Sequence, residues 1–172
     1  MSLAQPLLAE AGVRAALVQA DARRLPFADG TLGSASCFLG LQDVEIGFGE
    51  QGVREVVAEA VRVLSPDGML TLLDEFPVER FDALLDELPV AVTDCGERAL
   101  DVRWNRQVAE RAIALYAEGW LAQARASGQA AHDQIRTEVR SRMAVEVKRQ
   151  LDTQGYYVPF GPVRMVVARK IG

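Results

Sequence analysis

Apolar and polar positions alternate most regularly between Gly52 and Leu64. Val53, Val56, Val57, Ala60, Val61 and Leu64 recur at helical spacing and form one continuous apolar stripe, with Arg54, Glu55, Glu59 and Arg62 on the wet side. Valine is a mediocre helix former because its χ1 freedom is restricted, so this helix must be held mainly by packing its stripe on a sheet. Ser65-Pro66-Asp67-Gly68 ends it, since proline cannot continue the hydrogen-bond ladder and glycine tolerates a turn. Met69–Leu73 then reads as a strand with Asp74 and Glu75 at its carboxyl end. Val78–Leu88 reads as a short helix carrying Phe81, Leu84, Leu85 and Leu88 on one side.

Upstream, Pro6–Glu10 can open a short helix stopped at Gly12. The apolar run Ala15–Ala20 reads as a strand with Asp21 at its carboxyl end, followed by Leu25-Pro26-Phe27 and the turn Asp29-Gly30. Leu32–Leu41 is a second, nearly charge-free strand, apolar on both faces as a central strand requires. Strands joined by crossover helices imply a parallel sheet with right-handed connections. Ligands of such sheets bind beyond the carboxyl ends of the strands, and Asp21, Leu39–Asp43 and Asp74 with Glu75 all fall at that edge.

The remainder is different in character. Residues about 99–126 read as a long helix with Val102, Ala109, Ile113, Tyr116 and Trp120 on one stripe and Trp104, Val108 and Leu115 on a second apolar side. Helices apolar on more than one side are usually buried between partners. Ser127-Gly128 breaks this element. A second helix, about 130–152, spaces Ile135, Val139, Met143, Val147 and Leu151 every fourth residue. Tyr156–Phe160 and Val163–Arg169, around Gly161-Pro162, then predict a terminal antiparallel hairpin.

With 172 residues, 49% hydrophobic and 25% charged, the chain fits one globular domain and excludes a mostly disordered one. The two cysteines, Cys37 and Cys95, make neither a disulfide framework nor a metal pair, and no metal site is expected. No leader and no apolar run near the length of a membrane span is present, so a reduced cytoplasmic protein without membrane contact is expected. Residues 1–97 carry 17 acidic and 6 basic side chains, a net of -11, whereas residues 98–172 carry 7 and 13, a net of +6. This asymmetry fits either complementary surfaces that steer subunits together or ordinary solvated helix faces. Nucleic acid is not an expected partner: Arg136, Arg140, Arg142, Lys148 and Arg149 are interrupted by acids and lack a matching aromatic platform.

Two motifs carry a resemblance. Val18-Gln-Ala-Asp-Ala-Arg-Arg-Leu-Pro-Phe-Ala-Asp-Gly30, and Glu59-Ala-Val-Arg-Val-Leu-Ser-Pro-Asp-Gly68 with the strand after it, resemble segments of the class I S-adenosylmethionine-dependent methyltransferases, particularly the ubiquinone and menaquinone biosynthesis type. Ser65 stands where that family commonly has Lys, and Asp67 where it has its first Gly. The resemblance covers about residues 8–88 and 155–170. It implies an α/β fold: an incomplete Rossmann-like methyltransferase sheet, helix-covered, finished by the antiparallel hairpin. It also implies a single domain over 1–172 with a mainly helical insertion at about 98–152.

By position, the resemblance implies that Asp21 accepts a hydrogen bond from the adenine amino group of S-adenosylmethionine and that the Ala22 N–H contacts a ring nitrogen. Leu25 and Phe27 would form the apolar surroundings, and Phe38, Leu39, Gly40 and Leu41 would lie near the methionine-bearing portion. Read from the residues alone, Asp21 could instead brace the following loop, and Leu25 and Phe27 could be plain core. The family's opening strand, Gly-rich loop and ribose-binding acid have no counterpart here, and Gly30-Thr-Leu-Gly33 and Gly47-Phe-Gly49 read as turn glycines. The expected function is therefore methyl transfer to a small-molecule acceptor, with a non-catalytic, dimerising scaffold as the alternative. A homodimer is expected in either case. No catalytic base is nominated: His132 reads as a surface residue, and Tyr116, Trp120, Tyr156 and Tyr157 fit packing better than an acceptor pocket.

Overall fold

The computed structural model describes residues 14–112 and 132–172, together with Leu8, Glu10 and Gly12. In chain order the elements are β1 (Leu32–Phe38), α1 (Leu41–Val63), β2 (Leu64–Asp74), α2 (Val78–Leu85), β3 (Val90–Arg98), α3 (His132–Gln154) and β4 (Val163–Lys170). They build a four-stranded sheet of order β1-β2-β4-β3. β1 and β2 are parallel, joined by the crossover helix α1, while β4 runs antiparallel between β2 and β3. The result is an open mixed sheet flanked by helices, the fold class expected from the sequence.

The valine stripe behaves as its periodicity requires. Val53, Val57 and Val61 are buried with Leu70, Leu72, Phe81, Leu84 and Val166 in one core between α1, α2 and the sheet. α1 starts earlier than the stripe, at Leu41, and Gly49 (φ 67°, ψ -170°) divides it into two helical pieces, the valine stripe lying in the second. Leu41 is thus the first residue of a helix and not the last of a strand. A smaller cluster, Ala109, Val147 and Leu151 with Trp104 and Tyr157, lies outside the main core.

The Ser65–Gly68 turn survives as an irregularity inside β2, where Leu32 pairs with Leu64 but Ser34 with Met69. Asp67 sits there at φ 62°, a left-handed conformation that favours glycine. The next residue, Gly68, is hemmed in: a Cβ would come within 2.8 Å of the Ser65 carbonyl oxygen.

Several expectations are corrected. Residues 14–21 form no strand, and Val18 is exposed, so Ala15–Ala20 does not join the sheet. Among the described residues β2 is the one sheet neighbour of β1, so β1 is an edge strand with no fully buried residue and not the central strand its charge-free sequence implied, and its free edge is left unpaired by Ala15–Ala20. The carboxyl-terminal strand is antiparallel as expected, but its partners are β2 and β3; from Tyr156–Phe160 only Tyr157 makes a bridge, to Trp104. β3 was not expected at all, because its run of Thr93, Asp94, Gly96 and Glu97 looks like loop until β4 supplies a partner. Of the helix expected over 99–126, residues 106–112 are helical, 99–105 are not, and 113–131 lie outside the described residues. The helix expected at 130–152 is α3; its Val147 and Leu151 are buried, while the side chains of Ile135, Val139 and Met143 lie outside the described set. So does most of the Pro6–Glu10 segment.

Candidate functional site

The turn that follows residue 20 is organised by one carboxylate. Asp21 Oδ1 accepts the backbone N–H of Arg23 at 3.0 Å, and the Arg23 guanidinium donates to both carboxylate oxygens, Nε to Oδ1 at 3.1 Å and Nη2 to Oδ2 at 2.7 Å. The Arg24 N–H donates to the Asp21 carbonyl at 2.9 Å. The side-chain bonds to Arg23 hold the Asp21 carboxyl at a pKa of about 2, so it is an anionic, acceptor-only group at any ordinary pH. The Asp21 side chain nevertheless stays 46% exposed. The N–H of Ala22, beside it, has no hydrogen-bond partner among the described residues.

The next stretch of this turn is fastened to α1. The Leu25 N–H donates to Glu59 Oε1 at 2.6 Å, and Arg62 Nη2 donates to the Phe27 carbonyl at 2.9 Å and more weakly to that of Leu25 at 3.3 Å. Arg62 also holds Glu59 through two bonds of 2.7 Å and forms an ion pair with Asp29. Its guanidinium lowers the Glu59 pKa, and the two carboxylates raise that of Arg62. The Gly30 and Thr31 N–H groups bond the carbonyls of Arg62 and Val63. The two motifs singled out in the sequence are therefore one physical unit: Glu59 and Arg62 clamp the Leu25–Asp29 stretch.

The third part is the carboxyl rim of β1 and β2. Phe38 ends β1 with its side chain 62% exposed. Leu39 follows at φ 54°, its N–H donated to the Leu73 carbonyl at 2.7 Å, then Gly40 and the fully buried Leu41. Gly40 caps α1 without a side chain, and β2 supplies the missing acceptor. Asp74, only 1% exposed, accepts the N–H of Leu41 and of Glu75 at 2.9 Å each. Burial pushes its pKa up, partly offset by these backbone bonds. Glu75 accepts the Gly161 N–H at 2.8 Å and the Gln42 side chain at 3.3 Å, which draws the start of β4 to the same rim.

An apolar cavity of ≈170 Å³ lies between the turn, α1 and the edge strand, lined among others by Ala22, Leu25, Ala35, Cys37, Val57 and Leu72. The structure thus gathers Ala22 and Leu25 over one slot and sets Phe38, Leu39, Gly40 and Leu41 along one rim. Asp21 stands at the surface beside the slot without lining it, and Phe27 is 36% exposed, outside its lining. Asp21 braces the loop, as a reading of the residues alone allowed. Reading the sequence missed Glu59, Arg62 and Asp74 as positioning residues. The signal was available, since Glu59 and Arg62 share the wet side of the helix in one motif and Asp74 ends the strand.

Among the described residues, no group of three or more His, Cys, Asp and Glu could hold a metal ion, and no helix is long and apolar enough to cross a membrane. Tyr157 packs against Trp104 with ring centroids 6.1 Å apart, and burial raises its pKa. Tyr116, Trp120 and the His132 side chain lie outside the described residues.

A family profile described as a methyltransferase domain matches residues 1–72. No curated protein matches the chain in sequence. Among solved structures, the [4+2]-cyclase SpnF superposes with a TM-score of 0.56 at 17% identity, over 99% of this chain and 62% of the cyclase. A candidate methyltransferase of Bacillus halodurans C-125 superposes with a TM-score of 0.55 at 17% identity, over 99% of this chain and 78% of that one. The YcgJ protein of Bacillus subtilis gives 0.53 at 15% identity, over 99% and 77%. The chain spans less than two thirds of the cyclase. Its fold is class I S-adenosylmethionine-dependent methyltransferase-like, and the fold alone does not select a reaction.

Proposed function

We propose that the chain binds S-adenosylmethionine at the 21–27 turn and serves methyl transfer to a small-molecule acceptor, in the manner of the ubiquinone and menaquinone biosynthesis type. The observation that supports this most is the clamp of Glu59 and Arg62, which holds Ala22 and Leu25 over an apolar slot beside the carboxyl half of β1. The residues suit a purine. An exposed anionic carboxylate can accept from an exocyclic amino group, a neighbouring N–H with no partner among the described residues can donate to a ring nitrogen, and an apolar slot can face the ring. Phe38, Leu39, Gly40 and Leu41 would flank the methionine-bearing portion.

When bound, the cofactor supplies an electrophilic methyl group on a sulfonium. The part of this chain is to hold the base, to shield the rim from water with Phe38 and Leu39, and to keep the rim rigid through Asp74. At ≈170 Å³ the slot is below the roughly 300 Å³ at which ligand pockets begin, so it is too small to enclose a whole nucleoside. Among the described residues none is assigned to the ribose, and no catalytic base is assigned.

Calorimetric titration with S-adenosylmethionine tests the proposal. Saturable binding weakened about tenfold or more by Asp21→Ala supports it, the loss of one charge-assisted hydrogen bond. Absence of heat together with absence of thermal stabilisation contradicts it. A second reading, a cofactor-free domain that dimerises, is favoured by β1: among the described residues its outer edge is unpaired, and its seven residues contain no charge and no proline, the usual guards of such an edge. A monomer by light scattering at high concentration contradicts that reading.

A further inference from the structure

We infer that Gly47–Gly52, through Phe48, is a positioning device for the base-binding carboxylate, acting on Arg23. The inference rests on the base-binding role proposed for Asp21 and names residues that neither the motif resemblance nor the comparisons assign. The Arg23 guanidinium lies over the Phe48 ring, 3.7 Å from its centroid, while its edge donates to both oxygens of Asp21. A planar guanidinium can stack by its face and fork a carboxylate by its edge at once, which an ammonium cannot do.

Phe48 reaches this place because the helix breaks next to it. Gly49 adopts φ 67°, a region closed to most side chains, and a Cβ on Gly52 would collide with the Phe48 Cβ. Arg80 then pins the break from both sides, donating to Glu45 at 2.6 Å and to Glu50 at 2.6 Å. The glycine-rich snippet Gly47-Phe48-Gly49 therefore does more than turn the chain. It sets an aromatic platform, the platform seats Arg23, and Arg23 aims Asp21 and keeps it ionised.

An isolated surface ion pair contributes little because two long side chains must be ordered for one contact. Here Phe48 restricts Arg23 in advance, and the Arg23 N–H closes the turn on the same carboxylate. The coupling among Asp21, Arg23 and Phe48 should therefore exceed what separate surface contacts give.

The test is a titration series with S-adenosylhomocysteine on the full chain. Arg23→Ala and Phe48→Ala should each weaken binding roughly five- to twentyfold, and the double variant should be no weaker than about the worse single one. Arg23→Lys should recover only part of the loss and Phe48→Tyr nearly all of it. Below pH 5 the wild type should keep its affinity, because Asp21 stays ionised to about pH 2. The Arg23→Ala variant should lose affinity as pH falls toward 4, where an unassisted carboxylate protonates. Wild-type binding that Asp21→Ala weakens but Arg23→Ala and Phe48→Ala leave within twofold, with an unshifted pH profile, overturns the device alone. No binding by the wild type overturns the base-site proposal and the device with it.

Discussion

Replacing Asp74 by alanine should destabilise the protein by about 2–3 kcal/mol. The carboxylate is almost inaccessible and accepts the N–H of Leu41, of Glu75 and of Gln42. Charge-assisted bonds of this kind contribute roughly 1.5–3 kcal/mol each, but keeping a charge out of water offsets a large part of their sum. The net lies near or just above the ~2 kcal/mol upper end for loss of a helix N-cap, because Leu41 is fully buried and water cannot replace the lost acceptor. For a chain of this size that is a fall of about 5–10 °C in Tm. Urea unfolding followed by far-UV circular dichroism reads it as a lower midpoint at unchanged slope. Hydrogen exchange should accelerate at Leu41 and Gln42 before it does in β4. The sign of the pH dependence also follows. Burial raises the folded pKa of Asp74 above the unfolded 3.8, so folding takes up a proton between those values. Stability of the wild type relative to Asp74→Asn should therefore rise as pH falls through that interval. A change of less than about 0.5 kcal/mol in Asp74→Ala, the scatter of ordinary surface substitutions, would falsify the cap.

The turn in β2 makes a paired expectation: Asp67→Gly should stabilise by about 0.5–1 kcal/mol by removing a left-handed non-glycine residue, whereas Gly68→Ala should destabilise because its Cβ meets the Ser65 carbonyl at 2.8 Å. Thermal melts of both variants check this, and equal signs would contradict it. Arg62→Ala should release the Leu25–Asp29 stretch, seen as faster amide exchange at Leu25 and as new proteolytic cleavage there, while α1 keeps its helicity. Unchanged exchange at Leu25 would mean that the clamp does not govern the turn.

How legible this was from the sequence differs by element. The stripe from Val53 to Val61 and the strand Met69–Leu73 were readable from their apolar patterns and fall where expected, but the helix ends at Val63, and Ser65–Gly68, expected to stop it, lies inside β2. β3 was hidden because its residues carry no apolar alternation and its stability comes from β4, more than sixty residues later. The Ala15–Ala20 run shows the converse: strand-like composition without a paired edge stays irregular. In the β2 turn, Asp67 stands where the resembled sequences have glycine and adopts a positive φ. The positions of Asp21, Ala22 and Leu25 were legible as a motif. Their supports were not, because the contact of Glu59 with Leu25 and that of Arg23 with Phe48 join residues 34 and 25 positions apart, and no local period encodes such pairs.

A ¹⁵N-labelled sample titrated with S-adenosylmethionine would locate the ligand directly. Saturable chemical-shift changes concentrated at the amides of Ala22, Arg23, Leu25 and Leu39, with Ala22 moving downfield as its unbonded N–H gains an acceptor, are the expected result. Unchanged amides across that turn and rim at saturating cofactor, or shifts confined to α3 and β3, would show that Asp21 only braces its own loop.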